Sequence, residues 1–141
     1  MSVRFRLLAA GALCAAAGCG RPPSADILTL VDFNPPQVEF GDRCEILGQG
    51  FPVGAEAVVT LDGRFSSPGQ PTETRTVQFQ APAVTENRIE FTFTERVQAL
   101  VGLANGRFLH TTFRGNLSVA FAATGANRAV SGTLRNTTID M

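Results

Sequence analysis

From Ile27 to the final residue, apolar and polar positions alternate with a period of two. The clearest stretch is Arg88-Ile89-Glu90-Phe91-Thr92-Phe93-Thr94-Glu95, in which Ile89, Phe91 and Phe93 share one face and Glu90, Thr92 and Thr94 the other. Such alternation sets one side of a strand against a core and leaves the other in water. Leu117, Val119 and Phe121 repeat the pattern, as do Val77 and Phe79 with Gln78 and Gln80 between them. No segment carries a sustained apolar stripe at i, i+3, i+4, i+7, although Val97 to Ala104 is apolar enough to suit either element. Asn105-Gly106 follows it and supplies the positive φ angles of a two-residue type I′ turn, so this region is expected to form two antiparallel strands, Val97–Ala104 and Arg107–Phe113. Gly115-Asn116 and Thr124 to Arg128 read as further turns, and Val130 to Asp140 as a strand that either closes the domain or leads into more chain. Short strands at roughly 8–12-residue spacing predict an all-β, antiparallel β-sandwich, and about 100 residues suffice for one such domain.

The start of the chain follows a different pattern. Met1 to Arg6 carries Arg4 and Arg6, and Leu7 to Gly18 is almost uninterruptedly apolar. A helix crossing a bilayer needs about 20 apolar residues, so this run is too short to stay as an anchor and instead fits a secretory signal. Ala16-Ala17-Gly18-Cys19 resembles the lipobox of bacterial lipoproteins, with Ala16 where Leu is commonest; Leu13 makes Cys14 the poorer match. The resemblance implies cleavage between Gly18 and Cys19, leaving 1–18 as signal peptide. It also implies acyl chains, palmitate among them, on Cys19. At about 0.8 kcal/mol per buried methylene, two or more chains anchor stably. Residues 19–26 then form the lipidated cysteine and a Pro-stiffened tether, and 27–141 the domain. By the same resemblance, Gly20 after the cysteine points to the outer membrane of the cell envelope, with the domain in the periplasm or at the cell surface. Plain secretion, with cleavage after Ala15-Ala16-Ala17, is the competing expectation. Once Cys14 and Cys19 are assigned to processing, Cys44 stands alone; without lipid, a Cys19–Cys44 bridge becomes an option in an oxidising compartment.

The stretch ILTLVDFNPPQVEFGDRCEILGQGFPVGAEAVVTLDG, from Ile27 to Gly63, resembles the opening of IPT/TIG domains, which are immunoglobulin-like sandwiches. Gly41, Asp42, Cys44, Ile46, Gly48, Gly50 and Phe51 sit on the family pattern, followed by Val59, Leu61 and a turn at Gly63. What the resemblance implies is an interaction or spacer module. The residues agree on their own terms. Cys44 alternates in phase with Ile46 and faces inward, where an unpaired cysteine acts as a small hydrophobe. Gly48 and Gly50 mark a bulge or close approach that lets Phe51 plug one end.

Composition narrows the partners. The chain has a formal charge of zero, and all 12 of its basic residues are Arg, which reads as base composition and not as an Arg-built anion site. Loss of Arg4 and Arg6 leaves a slightly acidic remainder, which argues against nucleic acid or an anionic membrane surface as a charge-driven partner, because both need a basic patch. There are 11 Phe but no Trp or Tyr, so no amphipathic aromatic platform is available.

Catalytic patterns are missing from the sequence. His110 is the single histidine, predicted exposed on the strand Phe108–Phe113, and no serine lies in a nucleophile elbow. No metal motif is present, and no cofactor is expected. Asp26, Asp32, Asp42 and Asp62 flank predicted strand ends, where loop acids could hold Ca²⁺, though without a D-x-D-x-D run. Glu90 and Glu95 fall on opposite phases of one strand. The best contact candidate is the loop from Arg64 to Glu73, with Arg64, Phe65, Ser66, Ser67 and Gln70 as its surface. The expected function is that of a non-catalytic, lipid-anchored envelope protein whose sandwich binds or spaces other envelope proteins. The alternative is a ligand- or calcium-binding module or an accessory subunit of an envelope enzyme.

Overall fold

A computed structural model describes residues 28–125 and 128–141. It contains strands β1 (Thr29–Asn34), β2 (Arg43–Gln49), β3 (Glu56–Ser66), β4 (Glu73–Thr85) and β5 (Arg88–Thr92), then helix α1 (Glu95–Val101). The short strands β6 (Leu103–Ala104) and β7 (Arg107–Phe108) follow, then β8 (Thr112–Phe121) and β9 (Val130–Asp140). The main sheet runs β1-β2-β5-β4-β3-β8-β9 with antiparallel neighbours throughout. The fold is all-β, and its arrangement is compatible with a sandwich or flattened barrel.

Strand β4 makes the layering. Glu73 to Pro82 pairs with β3, while Ala83 and Thr85 pair with β5 across a register shift, so one strand serves both layers. The far seam is closed by main-chain bonds to β9 from both flanks of β1. Leu28 N donates to Ser131 O (3.0 Å) and Val38 N to Asp140 O (2.7 Å), and Gln37 bridges Asp140 in parallel. Asp140 N returns a bond to Pro36 O at 2.9 Å.

The predicted alternation is the one observed. Ile89 and Phe93 are buried, Phe91 is half-buried and Thr92 is exposed. Cys44, Ile46, Val59, Phe113, Val119 and Ile139 fill the space between the layers, each fully buried. Burying a side chain of the larger kind contributes about 1.5–3 kcal/mol. Phe51 is buried as expected, and the reason lies at Gly48, where an added Cβ would sit 2.5 Å from the Phe51 ring. Val130–Asp140 pairs with β8 as the last strand of the sheet.

Four expectations need correction. Glu95–Val101 is a helix, not part of a strand. Val97 and Val101 lie four apart and pack inward there, whereas Val97, Ala99 and Val101 also satisfied a period of two, so the short run was degenerate. Asn105 (φ 52°) and Gly106 (φ 72°) do make the turn with positive φ at both positions, but the hairpin spans only β6 and β7, and Leu109–Thr111 separates it from β8. Gly115-Asn116 is no turn; both residues lie inside β8. Gly63 likewise continues β3 instead of ending it, because the two glycines let the neighbouring strands β3 and β8 approach closely.

Candidate functional site

The groups that the sequence offers for chemistry lie apart. His110 is exposed, in the segment between β7 and β8 and not on a strand. Asp32 Oδ1 accepts the Phe33 N–H and Asp42 Oδ2 the Glu39 N–H, each at 2.8 Å, so both acids serve local backbone. Asp62 lies within β3, away from its ends, and accepts the Thr76 hydroxyl at 2.9 Å. Glu90 is held by Arg88 at 2.8 Å, while Glu95 opens α1. Among the described residues no group of three or more His, Cys, Asp or Glu side chains comes together. Asp26, and the processing residues Gly18 and Cys19, lie outside the described residues.

Cys44 is a free thiol with no exposed surface. Burial first, and the charge of Asp42 second, push its pKa from the usual 9.0 up to about 12. A thiol so protonated is inert as a nucleophile.

The contact loop is shorter than the sequence suggested. Arg64, Phe65 and Ser66 belong to β3, and the turn proper is Ser67 to Thr72. Phe65 is 3% exposed and packs on Phe113 at 5.0 Å between ring centroids, so it is core and not contact surface. Its alternation with the inward residue Leu61 was the available signal. Ser67 and Gln70 remain in the turn, closed by Gln70 N to Ser67 O at 3.1 Å. The hydroxyls of Ser66 and Thr72 meet at 3.2 Å, and those of Ser67 and the buried Thr111 at 2.8 Å. This fastens the turn to the segment carrying His110.

That turn lies at the pole opposite the start of the domain. Leu28 and Thr29 sit beside Gln49 and Gly50 at one end, while Ser66 and Thr112 pair at the other. Between them runs β3, which at roughly 3.3 Å per residue separates the poles by a little over 30 Å.

A cleft on the side of the domain was not foreseen. Where β4 and β5 part beyond Ala83 and Ile89, neither strand pairs with the other, and α1 lies across the gap. The space of about 510 Å³ is lined chiefly by Gln78, Phe79, Phe91, Arg96, Val97 and Leu100. Phe79 and Phe91, with centroids 4.9 Å apart, form part of the lining, and Leu100 stays 39% exposed. Among the described residues Arg96 is the charge that lines it, and no carboxylate does. The outer edge of β4 from Glu73 to Pro82 has no strand partner among the described residues.

No protein-family model matches this chain, and comparisons with curated proteins and with solved structures find no match. Among the described residues no helix is long and apolar enough to cross a membrane.

Proposed function

We propose that this chain is a non-catalytic, lipid-anchored envelope protein whose immunoglobulin-like sandwich, of IPT/TIG type, docks an extended segment of another envelope polypeptide. The lipid reading rests on Ala16-Ala17-Gly18-Cys19 after a short apolar run. For the sandwich type, the strand order is the support: β1-β2-β5 faces β3-β8-β9 as strands A-B-E face C-F-G in immunoglobulin domains, with β4 spanning the C′ and D positions.

The observation that carries the docking role is the parted β4–β5 seam. An unpaired strand edge offers a row of main-chain donors and acceptors to an added strand, and apolar lining alongside gives its side chains a seat. Arg96, unopposed by any lining acid, favours a segment carrying a carboxylate. The polarity of the domain suits presentation. Chain leaving Cys19 joins at one pole, and its eight intervening residues extend to at most roughly 28 Å at about 3.5 Å each. Site-specific photo-crosslinking in intact cells tests this, with the probe at Leu100 in the cleft or at Val84, an exposed apolar position outside it. Discrete adducts to an envelope protein from Leu100 alone support the reading. Equal labelling from both positions, or adducts to cytoplasmic proteins, contradicts it.

A further inference from the structure

Across the outer face of β4, β3, β8 and β9, one row of residues reads Thr74, Arg64, Arg114, Thr138. Arg64 pairs with Thr74 on one side and Arg114 on the other, and Arg114 pairs in turn with Thr138. Directly opposed residues of an antiparallel pair have Cβ atoms roughly 4.5–5.5 Å apart, and like charges placed so are destabilising. Both arginines are exposed, and neither forms an ion pair among the described residues. Two acids share this face one residue pair along: Asp62 on β3, which accepts the Thr76 hydroxyl at 2.9 Å, and Asp140 on β9, which pairs with Thr112; neither forms an ion pair with Arg64 or Arg114. Two cations therefore face each other in the middle of a sheet with no ion-pair partner among the described residues.

Beside them the surface is concave. Among the described residues, a recess of about 360 Å³ is lined by Arg64, Ser66, Thr72, Thr112 and Arg114: two guanidinium groups, three hydroxyls and no carboxylate. A second recess of about 330 Å³ shares the same two arginines and adds Asn136, Thr137 and Thr138 on its far side.

We propose that the recess between Arg64 and Arg114 is a binding site for a phosphate group, free or carried on a lipid. Guanidinium groups meet phosphate oxygens through paired N–H donors, and the Ser66, Thr72 and Thr112 hydroxyls supply further donors to the oxygens left over. A dianion seated there turns the Arg64–Arg114 repulsion into two charge-assisted contacts. The sequence could not show this, because Arg64 and Arg114 lie far apart in the chain and only the β3–β8 register brings them opposite. The site is separate from the α1 cleft, and neither depends on the other.

The test compares the purified full-length chain with Arg64→Gln, Arg114→Gln and the control Arg135→Gln, an exposed arginine outside the recess. Thermal unfolding is followed in inorganic phosphate and in chloride at equal ionic strength, and flotation with vesicles of phosphatidylcholine alone or with phosphatidate, every protein carrying Cys19→Ser so that no acyl anchor floats it. Phosphate raises the wild-type and Arg135→Gln midpoints by a few degrees more than chloride does. Arg64→Gln and Arg114→Gln lose that rise and weaken phosphate binding by about tenfold or more, the scale of one lost charge-assisted contact. In chloride the same two variants melt above wild type, because the opposed charges are gone. A purely structural role for the arginines would lower that midpoint. A response to inorganic phosphate assigns the site to the soluble ion, and a response to phosphatidate vesicles alone assigns it to a headgroup. If neither probe is distinguished from its control, or the response survives both substitutions, the proposal is overturned.

Discussion

Arg75 on β4 donates from Nη1 to the carbonyl oxygen of Leu100, 2.9 Å away, at the C-terminal turn of α1. Nη2 reaches the next carbonyl, that of Val101, and the guanidinium lies over the Phe65 ring, 4.5 Å from its centroid. Helix C-termini leave carbonyls unsatisfied and carry partial negative charge, so a cation from a neighbouring strand answers both needs. Thr94 provides no side-chain cap at the other end, so this contact adds to the inward packing of Val97 and Val101 in holding the seven-residue helix over the cleft.

Arg75→Gln is therefore expected to loosen α1 without unfolding the sandwich. Hydrogen bonds to a charged group are worth about 1.5–3 kcal/mol, and partial exposure of Arg75 reduces this to about 1 kcal/mol. Amide hydrogen exchange is the direct readout. Amides of Glu95–Val101 should exchange faster while those of Leu117–Phe121 stay protected, and uniform loss of protection would mean the contact holds the whole domain.

Gly63 and Gly115 face each other across β3 and β8, and a Cβ added to either would lie 2.7 Å from the other's Cα. Carbonyl oxygens are closer still, 2.4 Å from a Cβ at Gly63 and 2.3 Å from one at Gly115. Gly115→Ala should thus lower stability by about 2–4 kcal/mol in denaturant titration, although alanine suits a strand better than glycine. An unchanged midpoint would show that the two strands can part at no cost.

The Cys44 thiol gives a pH dependence of definite sign. Its pKa rises from the usual 9.0 to about 12 on folding, so the native state favours the protonated form. That contribution is whole below pH 9 and is lost as pH climbs from 9 towards 12, at up to about 1.4 kcal/mol per pH unit. Lysine and tyrosine do not occur in this chain, so few other side chains titrate in that window. Urea midpoints between pH 8 and 11 should fall in wild type and stay nearly flat in Cys44→Ala. Parallel slopes would place the alkaline loss elsewhere.

The strands were legible because period-two alternation is a local property. Ile89, Phe91, Leu117 and Val119 advertise their faces within a few residues, as does the positive-φ demand at Asn105-Gly106. Two glycines misled. Gly115 and Gly63 looked like turn residues, whereas they serve a close approach between strands distant in sequence. Phe65 looked like loop because Ser66-Ser67-Pro68-Gly69 follows it, yet its phase with Leu61 already turned it inward. Neither the cleft nor the arginine pair could be read from the chain, since each depends on which strands become neighbours. Phe79 meets Phe91, and Arg64 meets Arg114, only through the order β5-β4-β3-β8.

The most direct measurement for the account as a whole is the intact mass and N-terminal sequence of the mature protein taken from cell envelopes. Attachment outside the cytoplasm predicts a chain that begins at Cys19, carries the mass of a diacylglyceryl group plus one amide-linked acyl chain, and loses both lipid and membrane association in Cys19→Ser. A product that retains residues 1–18, or that starts elsewhere and bears no fatty acid, contradicts it.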